Sequence, residues 1–301
     1  MKRLSYFLFG LFLASTAMAQ EKPIITSAVV AWQKPVSKST LEEAKMYIDQ
    51  AKAVIDGKQL AEVNPKQLGK FYFHYGDIYF RIANATSPEI KALDADAIDK
   101  ALWGYQKLLD FEKNSGKKTY SKTVLTNMLY VVGNVINRGI QHADQQDYES
   151  AMNDFLLAFE LKKNEPFNSL DTIMLYNAAI TAQSLEDKSK ALELYLKLIE
   201  LNYHGISYSA RDAKTGEPVA YENAKALDKA LAAGEVLEPK IGESILPSLY
   251  ISVATIAKSL GNKELSDKII SEGRAKFPKE NDLILLELQD FLDKGDFDGA
   301  M

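Results

Sequence analysis

The sequence predicts an all-α chain built as a solenoid of stacked helix pairs, with one inserted β-hairpin. Three observations lead there. A small–large–small triplet at helical spacing recurs along the chain, a further small residue stands twelve positions before two of its copies, and alternating apolar residues fall in one long insertion. Composition agrees with a globular protein: 301 residues, 47% hydrophobic and 26% charged. Against 36 Lys plus Arg stand 41 Asp plus Glu, a net charge of −5, which argues against nucleic acid as a partner because no positive field exists to hold phosphates. Cysteine is absent, so disulfides, thiolate nucleophiles and cysteine-ligated zinc are excluded.

Residues 1–19 are expected to be a signal peptide. Lys2 and Arg3 precede an apolar run from Leu4 to Leu13, and Ala17-Met18-Ala19 places small residues at the −3 and −1 positions of a cleavage site before Gln20. The run is too short for a spanning helix, which needs ~20 apolar residues. The mature chain is therefore expected in the periplasm or secreted, not membrane-spanning and, with no cysteine after the run, not a lipoprotein. Residues 20–38 are expected to form an extended N-terminal segment.

From residue 39 the repeats begin. Ala151, Phe155 and Ala158 lie on one helix face; Ala191, Tyr195 and Leu198 repeat the pattern, as do Ala101, Tyr105 and Leu108, and Ala44, Ile48 and Ala51. A small residue lets a second helix approach while the large one fills the gap beside it. Gly139 and Ala179 stand twelve residues before Ala151 and Ala191, on the preceding helix, where two helices must cross. Tyr72, Tyr75, Gly76 and Tyr79 form an aromatic first helix; Leu175, Ala178, Ala179 and Ala182 form a leaner one; Tyr250, Val253, Ala254 and Ala257 open another unit, followed by Ser266, Ile270, Gly273 and Pro278. Ala300 falls thirty-four residues after Ser266.

These residues resemble the tetratricopeptide repeat, a 34-residue helix-turn-helix unit with a Trp-x-x-Leu-Gly-x-x-Tyr first helix and an Ala-x-x-x-Phe-x-x-Ala second helix. The pattern divides the chain into a half unit at 39–64, units at about 66–118, 122–166, 170–203 and 243–279, and an incomplete unit at 280–301. Insertions separate them. Ala83 to Asp94 lengthens a turn, with Pro88 ending any helix; Asn114–Lys118 and Asn164–Ser169 are loops. The insertion at 203–242 alternates Ile206, Tyr208 and Ala210 with polar residues, turns at Lys214-Thr215-Gly216, and continues through Pro218–Tyr221, a β-hairpin, before a short helix over Asn223–Ala233 that ends at Gly234.

The resemblance implies a right-handed curved array whose concave groove, lined by first-helix side chains, binds an extended peptide or partner helix. Carried over by position, the groove residues are Lys70, Phe73, Asp77 and Arg81, then Ile136 and Ile140, then Ile173, Tyr176, Ile180 and Gln183, and last Ile251, Thr255 and Lys258. The competing reading is that each apolar member packs as core against a neighbouring repeat or under the hairpin, and that Lys70, Asp77 and Arg81 form a solvated face.

Catalytic signals are faint. Ser115-x-x-Lys118 and Lys214-Thr215-Gly216 share spacing with serine β-lactamase motifs but sit in turns, without the Ser-Asp-Asn element between them. Lys294 occupies the first ligand position of a calcium-loop-like run where an acid is required. His74, His142 and His204 have no metal-ligand spacing. The expectation is thus an exported scaffold for a protein or peptide partner, not an enzyme, with neither cofactor nor metal. The alternative is a glycan or small-ligand binder that uses the 203–242 insertion as a lid, with Tyr203, Tyr208 and Tyr221 as stacking surfaces. In the 34-residue register the sequence ends two residues into a second helix, so it is expected to be a fragment of a longer repeat protein.

Overall fold

The structure is a computed structural model that describes residues 21–295 apart from the side chains of Leu60 and Lys294. The expected leader at 1–19, Ala300 and most of the calcium-loop-like run lie outside the described residues. The chain divides into two compact units at Asn137/Arg138, and each is treated by itself.

The first unit begins with α1 (Glu21–Gln33), which packs on α2 (Lys38–Asp56). This corrects the expectation of an extended segment at 20–38. Pro23 lies in the first turn, where a missing N–H breaks no helical bond, and Ile25, Ala28, Val29 and Ala31 make a buried face. What reads as a half unit at 39–64 is therefore the second member of a helix pair. Ser37 caps α2 in a reciprocal box with Thr40. A single 3-10 turn (Leu60–Glu62) leads to α3 (Pro65–Ala83), whose Pro65 occupies the first turn behind the Asn64 cap.

Helix α3 packs most extensively on α5 (Ala97–Ser115) and also touches α1 and α2. The two helices cross at paired glycines. A Cβ on Gly104 would stand 2.5 Å from the Gly76 nitrogen, and one on Gly76 would stand 2.5 Å from the Tyr105 ring. Between them Pro88 begins a one-turn helix, α4 (Pro88–Lys91), where the sequence reading has it only terminating one. The Asp94 carboxylate that follows binds Lys100 at 2.7 Å and Lys45 at 3.2 Å, tying the insertion to α2 and α5. Helix α6 (Ser121–Asp144) spans the division between the units. Its first turn is capped by Glu112, which accepts from the backbone N–H groups of Thr119, Tyr120 and Ser121 and from the Ser121 hydroxyl. Burial alone would raise the Glu112 pKa; these donors outweigh it and hold the carboxyl below its usual range.

In the second unit α7 (Tyr148–Lys163), α8 (Thr172–Ser184) and α9 (Lys188–Glu200) pack in sequence order; α9 then packs on α11 (Leu246–Ser259), α11 on α12 (Lys263–Lys276), and both on α13 (Asn281–Lys294). The recurring small residues sit at these crossings. Ala151, Ala158, Ala179 and Ala191 are fully buried. Where Ser266 replaces alanine, its hydroxyl donates to the Ala254 carbonyl at 2.9 Å, twelve residues back, so the polar atom is satisfied inside the crossing. Gly273 departs from the repeat pattern for a steric reason, since a Cβ there would lie 3.2 Å from both Leu283 and Tyr250.

The insertion holds three strands, not two. β1 (Tyr208–Asp212) pairs antiparallel with β2 (Pro218–Tyr221) and also with β3 (Val236–Ile241), giving the order β2-β1-β3. Pro239 argues against a strand from sequence, but β3 is an edge, where a residue without N–H is tolerated. Between β2 and β3 runs α10 (Ala224–Ala232), capped by Asn223. It closes a small core of Ala210, Leu227, Ala230 and Val236.

Candidate functional site

The expected groove residues of the first unit converge on one buried carboxylate. Asp77, 5% exposed, accepts from the Trp32 indole N–H at 2.7 Å, Arg81 Nε at 3.1 Å, the Tyr105 hydroxyl at 3.1 Å and Asn127 Nδ2 at 3.0 Å. Donors from α1, α3, α5 and α6 thus meet on a single side chain. Asn127 also donates to the Tyr105 oxygen at 2.9 Å, while Arg81 reaches the Trp32 carbonyl at 2.9 Å and stacks 4.2 Å over its ring. Phe73, 7% exposed, stacks on Tyr120 with ring centroids 4.3 Å apart and meets the edge of Trp32. Phe73 and Asp77 are core, which corrects their assignment to a partner-facing surface. The cause is α1: once that segment folds as a helix, Trp32 covers the face on which they lie. Arg81 is spent within the network, and Lys70 remains half-exposed.

His74 lies in the same cluster, 5% exposed, its ring 4.8 Å from Trp32 and 4.9 Å from Phe73. Its Nδ1 has no hydrogen-bond partner. Burial, reinforced by the positive charges of Lys70 and Arg81, lowers its pKa to about 4. Burial and the nearby Asp77 charge push the Tyr105 hydroxyl well above the ordinary phenol range. Sequence reading missed Trp32, Asn127 and Tyr120 as members of this cluster. Trp32 is one of only two tryptophans, and that rarity was the available signal.

The second unit differs. On α8, Met174, Leu175, Ala178, Ala179 and Ala182 are buried, while Ile173 and Ile180 on the other face are 49% and 41% exposed. Tyr176 is half-buried and packs against Tyr203 at 5.6 Å; Gln183 is exposed and accepts from the Tyr195 hydroxyl at 2.8 Å. On α11, Ile251 is half-buried, Thr255 is exposed, and Lys258 pairs with Asp293 of α13. Ile136 is half-buried and Ile140 is 45% exposed, both on α6.

The three tyrosines of the small-ligand alternative do not form one surface. Tyr208 and Tyr221 face each other across β1 and β2 and pack on the insert's own core, whereas Tyr203 packs on Tyr176. Ser115 bonds back to the Glu112 carbonyl at the end of α5, and Asp212 accepts from the backbone N–H groups of Lys214 and Thr215 at 2.8 Å, so both β-lactamase-like fragments are turn chemistry. His142 is half-exposed, 3.3 Å from Asp154; His204 bridges Asn202 and Ser244. Among the described residues no cluster of three or more His, Asp or Glu could hold a metal, and no helix is long and apolar enough to cross a membrane. A surface cleft of about 590 Å³ lies on α7, α8 and α9. It contains none of the expected groove residues, and its rim charges are already paired, Glu160 with Lys163, Lys190 with Glu193 and Lys197 with Glu200.

Within each unit the helices pack largely on their neighbours in sequence, and with one small three-stranded insert in the second unit the chain is predominantly α-helical. No family model matches the chain, and no curated protein matches it. Among solved structures, BtubC (BKLC) from P. vanneervenii is 12% identical with a TM-score of 0.30, over 88% of this chain and 92% of that one. The apo form of RapI is also 12% identical, with a TM-score of 0.29, over 93% of this chain and 81% of that one.

Proposed function

We propose that this protein is an exported, tetratricopeptide-type scaffold that binds a segment of a protein partner on the α8–α11 face of its second unit. The observation that carries the reading is the exposed pair Ile173 and Ile180 on α8. Two branched apolar side chains one helical face apart, with Tyr176 between them, suit the i, i+3, i+7 anchoring by which an apolar peptide or helix is held. Thr255 and the Lys258–Asp293 pair are the polar members of the same expected groove on α11. Binding, not catalysis, is the activity proposed: Asp77, on which the expected groove residues of the first unit converge, is enclosed by its own donors, while Ile173 and Ile180 stand open to water. Export is proposed from the Lys2-Arg3 start, the apolar run and Ala17-Met18-Ala19.

A photo-crosslinking amino acid placed at Ile173, Tyr176 or Ile180 in cells should give a discrete adduct in the envelope or secreted fraction. The same probe at Lys188, exposed at the start of α9, should give none. Equal labelling from both places, or none from α8, would overturn the reading.

A further inference from the structure

Helix α1 is fastened at its two ends by different means. At its start Glu21 pairs with Lys58 at 2.7 Å, and Ile25 and Ala28 are fully buried. At its end the fastening is Trp32: its indole N–H donates to Asp77, its carbonyl accepts from Arg81, and its ring lies under the Arg81 guanidinium. Lys34 to Ser37 then form an exposed, non-helical link to α2, so the last turns of α1 can move without disturbing that helix.

The ring beneath Trp32 is the weak point of this closure. His74 stands edge-on to Trp32 and to Phe73, and its Nδ1 has no hydrogen-bond partner among the described residues. An imidazolium carries N–H at both nitrogens, and the one at Nδ1 would find no acceptor. Nearby charges do not offset this. Lys70 and Arg81 on the same helix are cations, and the Asp77 carboxylate already accepts from Trp32, Arg81, Tyr105 of α5 and Asn127 of α6. Around the ring α1 contributes the indole, and Tyr120 at the start of α6 stacks on Phe73. A proton on His74 therefore favours any arrangement in which the imidazole reaches water, and lifting Trp32 provides one.

We propose that the last turns of α1 are an acid-released cover: protonation of His74 lifts Trp32 from α3 and opens Phe73 and the Asp77 network to water, while Glu21 and Lys58 keep the start of the helix in place. The face so opened is the one that the repeat resemblance assigns to a partner, and α1 is its occupant at neutral pH. With a His74 pKa of about 4 when covered and 6.5 when open, the open population rises about 100-fold between pH 7 and pH 4.

Hydrogen exchange of the full chain tests this, read by NMR at the Trp32 indole N–H and at backbone amides, corrected for intrinsic rates, where exchange reports the open population. Protection at Trp32 should lie at least about tenfold below that of Tyr105 and Leu108 on α5, because α1 opens while α5 stays folded. It should fall about 100-fold from pH 7 to pH 4. His74→Phe and His74→Gln, neither of which titrates, should each reduce that fall to within about threefold, and either variant that folds is sufficient. Protection at Trp32 equal to that on α5 would mean that α1 leaves only by global unfolding and would overturn the proposal. So would a fall that survives the loss of His74, or protection at Trp32 that does not change with pH.

Discussion

Helix α3 in the first unit and α8 in the second carry equivalent first-helix positions, yet one face is closed and the other open. On α3 the positions hold Phe73 and Asp77, covered by Trp32 from α1 and Tyr120 from the start of α6. On α8 they hold Tyr176, half-buried against Tyr203, and Ile180, which is 41% exposed. Helical periodicity decides the direction in which a side chain points, but a neighbouring element decides whether water is there. Two features mark the closed face before any burial is known: it contains an acid, which must find donors if covered, and the covering segment contains tryptophan.

Asp77→Ala should widen the contrast most. It leaves the Trp32, Tyr105 and Asn127 donors and the Arg81 charge without their acceptor inside the protein, a loss of about 3–5 kcal/mol. Ile180→Ala, on the open face, should stay within about 0.5 kcal/mol. Urea unfolding followed by circular dichroism compares the two; equal losses would mean that the faces are not closed and open as described.

His74 makes the closed face sensitive to acid in a way the α8 face has no group to imitate. Its folded pKa of about 4 lies below the ordinary 6.5, so as pH falls through 6.5 the unfolded chain takes up a proton that the folded chain refuses. Stability from this group is complete above about pH 6.5 and is lost between there and pH 4, by up to roughly 3 kcal/mol. His74→Phe keeps the ring packing and removes the titration. Melting temperatures from pH 7 to 4 should therefore fall less steeply in that variant, and parallel curves would refute the assignment.

The helical phase was legible because the small–large–small triplets are direct consequences of crossing geometry: Ala151, Phe155 and Ala158 are all buried. Two elements were not. In α1, Pro23 and a run of β-branched residues imitate an extended segment, and only packing against α2 and α3 selects the helix. In β3, Pro239 imitates a break, and only pairing with β1 reveals an edge strand. The Asp77 network was beyond reach for a related reason. It joins Trp32 to Asp77 across forty-five residues, so an error in the first helix removes the residue that changes a surface carboxylate into a buried hub.

The smallest expected effects carry the finest test, because one substitution should act with opposite sign in two helices. Gly76 and Gly133 both lie inside long helices, where alanine is intrinsically preferred by roughly 1 kcal/mol. At Gly76 the new methyl would stand 2.5 Å from a ring carbon of Tyr105, so α3 and α5 must separate, and Gly76→Ala should destabilise the protein by about 1–3 kcal/mol in spite of the helix preference. At Gly133 no atom of the described residues comes within 4 Å of the new methyl, and Gly133→Ala should stabilise the protein by about 0.5–1 kcal/mol. Urea unfolding of each variant beside the native chain measures both changes. A loss at Gly133 would mean that its face is packed within the protein, and a gain at Gly76 would mean that the α3–α5 crossing is looser than the glycine pair implies.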